Sequence, residues 1–393
     1  MAVIPSPVLP GQVATGPFEL DMAGANSITL PADATITNMA DQFAVLFVNP
    51  ETGTNSWTIG VDGSIGAFGG TGLVLYNWLA TVNNKVTVGT EGAIAGMDTG
   101  VYSSTAADII NKGQIVGQGY GISFNGWAGA DPEVQDGTGS NLNNLVLATS
   151  ATKKISVDNQ ANATVGGDVV GIDNWSYSFL TVKNAGEIAG GAYDPDLDAL
   201  GFWGGAAINS RGGLNLNNAV TGEIYGDVES YWFGSVITNA GYIEGTVASG
   251  VHSLDRQIND NGTPDNREDD IVMIDLDHDG DFTDVAAKGA INAALATKNT
   301  ITNSGTIYGN ELYGWDGVEG PQPPYYQVAL NLSYFNDAVT NSGEMFGEVW
   351  TGRGNDSLTN SGLIAGGVDM GAGNDTVNNT GKIFENQTID YSG

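Results

Sequence analysis

Hydrophobic and polar positions along this chain alternate with a period of two, in short runs that keep returning. Ten glycines mark the runs: Gly63, Gly92, Gly113, Gly186, Gly222, Gly241, Gly305, Gly343, Gly362 and Gly381. Two residues after each stands Ile, except that Met345 follows Gly343. Two residues before stands Asn in seven cases, among them Asn111, Asn184, Asn303 and Asn360, and four before comes an aliphatic such as Val182, Ile301 or Leu358. Offsets of two send side chains to one face of a strand. Aliphatic, Asn, Ile and a following small Gly are therefore expected to share one interior. The marker glycines are expected at corners of positive φ, where a Cβ would clash. Helical periodicity is nearly absent, and residues 285–297 are the one short candidate.

The interval is fixed where the chain is least interrupted. Gly343, Gly362 and Gly381 are 19 residues apart (362 − 343 and 381 − 362), and Gly222 to Gly241 repeats that step. A fixed step of this size, rich in Gly, Asn and β-branched residues, predicts a chain coiled into stacked rungs, each packed only on its neighbours. The expected fold is all-β, a single-stranded β-helix (β-solenoid) of ~19-residue rungs. Residues 1–33, punctuated by Pro5, Pro7, Pro10, Pro17 and Pro31, are expected to form an extended arm or cap, and 34–393 the solenoid. A cap would cover a sheet edge; an arm could pair with another copy. Longer gaps between markers place insertions near 123–150, 192–205, 251–290 and 310–325, where solenoids carry specific contacts.

Charge narrows the partners. Twelve Lys and Arg against 45 Asp and Glu give a net charge of −33, which disfavours nucleic acid and anionic lipid and favours divalent cations. Without cysteine there is no disulfide framework and no thiolate metal site. No apolar run reaches the length of a membrane helix. The start, Met1-Ala2-Val3-Ile4-Pro5, lacks the basic region and apolar core of a secretory leader.

The units of the type Thr-Asn-Ser-Gly-x-Ile-x-Gly resemble the 19-residue repeats of filamentous-haemagglutinin-type adhesins and autotransporter passenger β-helices, over about residues 57–385. The resemblance implies a secreted or surface-displayed bacterial β-helix. It says little about activity, because such rods host adhesins, enzymes and matrix proteins alike.

Two kinds of motif point to calcium. Asp275, Asp277, Asp279, Asp281 and Asp284, with Gly280 for the sharp turn, set carboxylates at alternate positions, as a loop needs to wrap oxygens around a hard cation. This stretch resembles the calcium loops of dockerins and EF-hands, with Ala286 where their bidentate Glu stands. Just upstream, Asn259, Asn261 and Asp265 resemble a thrombospondin type 3 calcium repeat. The second motif, Gly352-Arg353-Gly354-Asn355-Asp356 with Gly371-Ala372-Gly373-Asn374-Asp375, is similar to the RTX nonapeptide. Asp337, Asp356 and Asp375 follow at steps of 19 and are expected to stack, with a cation or water between like charges. A plain Gly-Asn-Asp corner turn is the other reading.

Catalytic candidates are sparse. The only histidines, His252 and His278, lie in the long insertion, so a triad has few places to form. Aromatic residues such as Trp203, Trp232, Trp315 and Trp350 could stack on sugar rings or pack the rod. The sequence thus points to a non-enzymatic, calcium-stabilised structural protein that self-assembles into a filament, surface layer or matrix, or acts as an adhesin, with itself and cell-surface polysaccharide as partners. A β-helix polysaccharide lyase or glycoside hydrolase is the alternative.

Overall fold

The computed structural model describes residues 13–21, 27–39, 42–48, 56–76, 83–104, 106–124, 155–176, 179–191, 205–231, 234–250, 256–259, 271–274, 298–312, 326–332 and 336–384. Every regular element among them is a strand. The chain divides into two compact units, Met1–Gly226 and Asp227–Gly393, and each is a β-solenoid with three parallel sheets.

Within a rung the chain runs along sheet I, then sheet II, then sheet III, and steps up to sheet I of the next rung. In the first unit sheet I takes in Val13–Thr15, Thr35–Asn38, Ser64–Ala67, Ala93–Gly96, Gln114–Gly117 and Thr164–Gly167, and continues to Glu223–Tyr225. Ile65, Ile94 and Ile115 lie in one register, one above another, and are fully or almost fully buried. In the second unit the same column reads Ile243, Ile307, Met345, Ile364 and Ile383. One side chain per rung thus repeats the same contact, which is why the Ile after each marker glycine is the strongest signal in the sequence.

Asparagines form the second column, at the end of each sheet III strand from Ala107–Asn111 onward; the first three strands end in Leu30, Val61 and Val88 instead. In the first unit Asn111 Nδ2 donates to Asn159 Oδ1 at 2.9 Å, Asn159 to Asn184 at 2.8 Å and Asn184 to Asn218 at 2.9 Å. In the second unit Asn239, Asn303, Asn341, Asn360 and Asn379 are linked in the same way at 2.8–2.9 Å. The second amide hydrogen goes to a backbone carbonyl of the next rung, as Asn341 Nδ2 to Leu363 O at 3.0 Å. Each buried amide therefore saturates a corner whose backbone groups would otherwise lack partners.

The marker glycines are required by space, not by φ. Positive φ occurs at other glycines, and a Cβ on Gly343 or Gly362 would overlap the carbonyl oxygen of the glycine one rung below, Gly305 or Gly343. This corner, between sheets III and I, stays short in every rung. The long interruptions enter at the other two corners, between sheets II and III (125–154 and 251–297) or between I and II (192–204 and 313–325).

The solenoid starts earlier than the proline-rich pattern suggested. Val13–Thr15, Phe18–Asp21 and Ser27–Leu30 already form a rung, paired in parallel with Thr35–Asn38, Phe43–Val48 and Thr58–Val61. The boundary expected at residue 33 thus falls inside the ladder. Pro17 and Pro31 stand just outside these strands, where a missing N–H costs no ladder bond. The helical candidate at 285–297 lies outside the described residues.

Candidate functional site

The strongest concentration of unusual chemistry is a column at the corner between sheets II and III of the second unit. Its position lies four residues before each ladder asparagine. In the first unit that position holds mostly apolar residues, such as Trp57, Ile155, Leu180 and Leu214. In the second it reads Ser235, Asn299, Asp337, Asp356 and Asp375.

The turns leading into the column are built by Gly352 (φ 82°) and Gly371 (φ 70°), conformations that a side chain would strain. The Asn-Asp pairs that follow divide by side. Asn336, Asn355 and Asn374 stay outside, where Asn355 N donates to Asn336 Oδ1 at 2.8 Å and Asn374 N to Asn355 Oδ1 at 2.9 Å. Asp337 and Asp356 turn inward and are each only 2% exposed.

Each inward side chain accepts a backbone N–H from the rung before it. Ser235 N donates to Asn299 Oδ1 (2.8 Å), Asn299 N to Asp337 Oδ1 (3.2 Å), Asp337 N to Asp356 Oδ1 (2.8 Å) and Asp356 N to Asp375 Oδ1 (2.9 Å). The second oxygens of Asp337 and Asp356 are buried without a hydrogen-bond partner, as is Asn299 Nδ2. Burial, reinforced by the charge of Asp356, pushes the Asp337 carboxyl up to about 8, and the backbone N–H of Asn299 pulls it down only in part. Burial also raises Asp356; hydrogen bonds from the Asp337 backbone and Thr351 oppose this, while the charge of Asp375 adds to it. At neutral pH Asp337 therefore holds a proton.

The three aspartates come into register at steps of 19, as their spacing implied, but the column suits a proton better than calcium. Calcium takes six to eight oxygens. The column offers the unpartnered Oδ2 atoms of Asp337 and Asp356, inside the core. The Gly352 and Ala372 carbonyls beside it are bonded between rungs (Ala372 N to Gly352 O, 2.9 Å; Gly354 N to Ala372 O, 3.0 Å). Among the described residues no three acidic or histidine side chains converge as a metal site would require. Asn261, Asp265, Asp275, Asp277, Asp279, Asp281 and Asp284 lie outside the described residues; Asn259 ends a strand, Arg256–Asn259, paired antiparallel with Ile271–Ile274.

Three acidic groups went unmarked in the sequence. Asp173, 1% exposed and bonded by Asn209 Nδ2 at 2.9 Å, is pushed by burial up to about 8. Asp227 and Glu229 stand two apart on Asp227–Ser230 in the second unit. Asp227 Oδ1 accepts from Thr246 N and from Asn310 Nδ2, both at 2.7 Å, and Glu229 Oε2 accepts from the Tyr231 hydroxyl at 2.6 Å. Burial raises both, Glu229 to about 7 with help from the Asp227 charge. Nothing in the spacing of acidic residues separates these from the many solvated ones; Asp173 is set apart by full burial, and Asp227 and Glu229 by being half-buried and hydrogen-bonded.

Of the tryptophans, Trp57 packs inside against Phe47, with ring centroids 5.0 Å apart, and Trp350 donates to Glu348 at 2.7 Å. Trp175 stands half-exposed under the Arg211 guanidinium, which lies 5.7 Å from its ring centroid. Trp203, Trp232 and Trp315 lie outside the described residues. No protein-family model matches the chain, and no curated protein or solved structure is significantly similar to it.

Proposed function

We propose that the chain is an extracellular structural protein of a bacterial surface or matrix, non-enzymatic, which associates with copies of itself. The observation that carries this reading is the uniform core. One Ile, one Asn amide and one close-packed glycine recur rung after rung, so sequence is spent on stiffness and not on a single cleft. Calcium belongs to this reading through the insertion, where Asp275, Asp277, Asp279, Asp281 and Asp284 would supply oxygens and Asn259, Asn261 and Asp265 a second loop. Bound there, the ion would relieve part of the −33 charge. Electron microscopy of the full chain with calcium and with a chelator tests the reading. Filaments, sheets or lattices support it; single particles under both conditions refute it.

One specific observation favours a second reading, an enzyme acting on polysaccharide. Asp227 and Glu229 form a carboxyl pair two residues apart with raised affinity for protons, as a general acid requires. New reducing or unsaturated ends after incubation with acidic and neutral glycans, lost in Glu229→Gln, would establish it.

A further inference from the structure

Strand glycines with room for a side chain are rare in this protein. A Cβ built on most of the glycines discussed above would strike backbone. Gly66 and Gly166 differ: a Cβ on Gly66 meets no atom within 4 Å, and one on Gly166 meets only Val116 Cγ1 at 3.8 Å. Neither has a positive φ. Both sit inside sheet I strands, Ser64–Ala67 and Thr164–Gly167, where glycine weakens a strand for lack of packing. Nothing within the described molecule demands them. Glycine at such a site leaves room for the close approach of something from outside.

The surroundings agree. On six successive sheet I strands of the first unit, from Val13–Thr15 to Thr164–Gly167, the outward positions read Val and Thr, Thr and Thr, Ser and Gly, Ala and Ala, Gln and Val, Thr and Gly. Not one of these is charged, in a chain of net charge −33; carboxylates return on the next two strands of the sheet, with Glu187 and Glu223. The outward face of sheet III in the same unit, by contrast, carries Lys85, Asp108, Asp158 and Lys183. Along the border of the uncharged face, Met39, Phe68 and Met97 follow three of its strands in consecutive rungs, with Phe68 N bonded to Asn38 O and Met97 N to Ala67 O. They are 71%, 59% and 52% exposed, a stack of large apolar side chains turned to water.

We propose that this outward face of sheet I, with its Met-Phe-Met border, is the surface through which two copies of the chain associate. The inference rests on the self-association proposed above and names where it occurs. Two chains this acidic repel, and they meet at least cost where neither presents a carboxylate. A flat face of mostly short side chains lets two sheets approach closely. Five residues across and six rungs deep, it measures roughly 16 by 29 Å at ordinary strand spacings. Two such faces bury on the order of 900 Å², at the small end for a specific contact, so association is weak and concentration-dependent. Salt, which screens the repulsion between copies, strengthens it.

Sedimentation velocity on the full chain, over a concentration series at low and high salt, tests this. The wild type is expected to dimerise, more tightly at high salt. Gly66→Glu and Gly166→Glu, for which the fold has room, are expected to weaken the dimer at least tenfold with an unchanged thermal midpoint, and Val116→Glu to act alike. Asn217→Glu, on the exposed outward face of sheet III, is expected to leave it intact. If the wild type associates and all three face variants associate equally well, the surface assignment is wrong while self-association stands. If the wild type is monomeric throughout, both fall. A monomer that insoluble polysaccharide retains, and retains less well as Gly66→Glu, would also overturn the assignment, since the occupant would then be a glycan.

Discussion

The backbone N–H of Asp337 donates to Oδ1 of Asp356, nineteen residues further along the chain, at 2.8 Å. The bond ties a carboxyl group to the interior of the next rung and leaves its other oxygen buried without a partner. Such an arrangement is more stable with a proton on the column than without one.

That makes the stability of the second unit fall as pH rises from acidic to mildly alkaline. The Asp337 carboxyl, raised from 3.8 to about 8, binds its proton more tightly folded than unfolded. Its contribution is complete below pH 4 and is lost as pH rises from about 4 through about 8, after which stability levels off. The expected loss is on the order of a few kcal/mol. Asp337→Asn, which places at this position the residue already present one rung lower as Asn299, is expected to remove this group's share of the dependence and leave that of Asp173 and Glu229. Denaturant unfolding between pH 4 and 9 checks both, and the variant is expected to be the more stable protein at pH 9.

The asparagine ladder predicts a sharper effect from a smaller change. Asn341 accepts from Asn303 and donates to Asn360 and to Leu363 O. Asn341→Ala strands partners above and below it and is expected to cost about 2–4 kcal/mol. Asn341→Asp, nearly identical in shape, sets an acceptor against two acceptors and is expected to be at least as harmful at neutral pH. Urea midpoints of the two variants compared with wild type decide this.

Glycine-to-alanine substitutions are expected to separate by position. At Gly343 the methyl group meets the Gly305 carbonyl, and relieving that overlap is expected to cost about 3 kcal/mol or more. At Gly66 the same change is expected to be neutral or slightly stabilising. Thermal midpoints of this pair measure how much of the glycine content is structural.

Calcium is expected to act through the insertion. Addition of the ion is expected to stabilise the fold by about 2.7 kcal/mol at a hundredfold excess over Kd, and so to raise the thermal midpoint. Asp277→Asn combined with Asp279→Asn is expected to abolish the rise, while Asp356→Asn leaves it in place. Scanning calorimetry with and without chelator reads all three; a rise lost in Asp356→Asn alone would move the ion to the column.

The rungs were legible in the sequence because each repeats the same few residues under the same constraint. Ile two residues past a glycine, and Asn two before it, survive insertion because the corner between them never lengthens. The first rung was hidden because Val13, Ala14 and Thr15 carry none of these markers and prolines crowd their ends. The spacing of Asp337, Asp356 and Asp375 showed that they stack, but not to which side. Direction follows from the turn glycines at 352 and 371, and composition alone does not give it. Asp227 was invisible because its side-chain partner Asn310 lies 83 residues away, and Glu229 because nothing in the spacing of acidic residues sets it apart. Gly66 and Gly166 look like any strand glycine until the space around them is measured.

Leu363 occupies the same register as Glu344, directly above it, and residues 344–362 make one full turn between them. Excising those 19 residues would join Gly343 to Leu363 and set Asn341 against Asn379 and Asp337 against Asp375, with every column unbroken. Length in this molecule is therefore countable in whole turns. A gene slipping by 19 codons would yield a longer or shorter protein that folds as before, so reach can be inherited separately from shape.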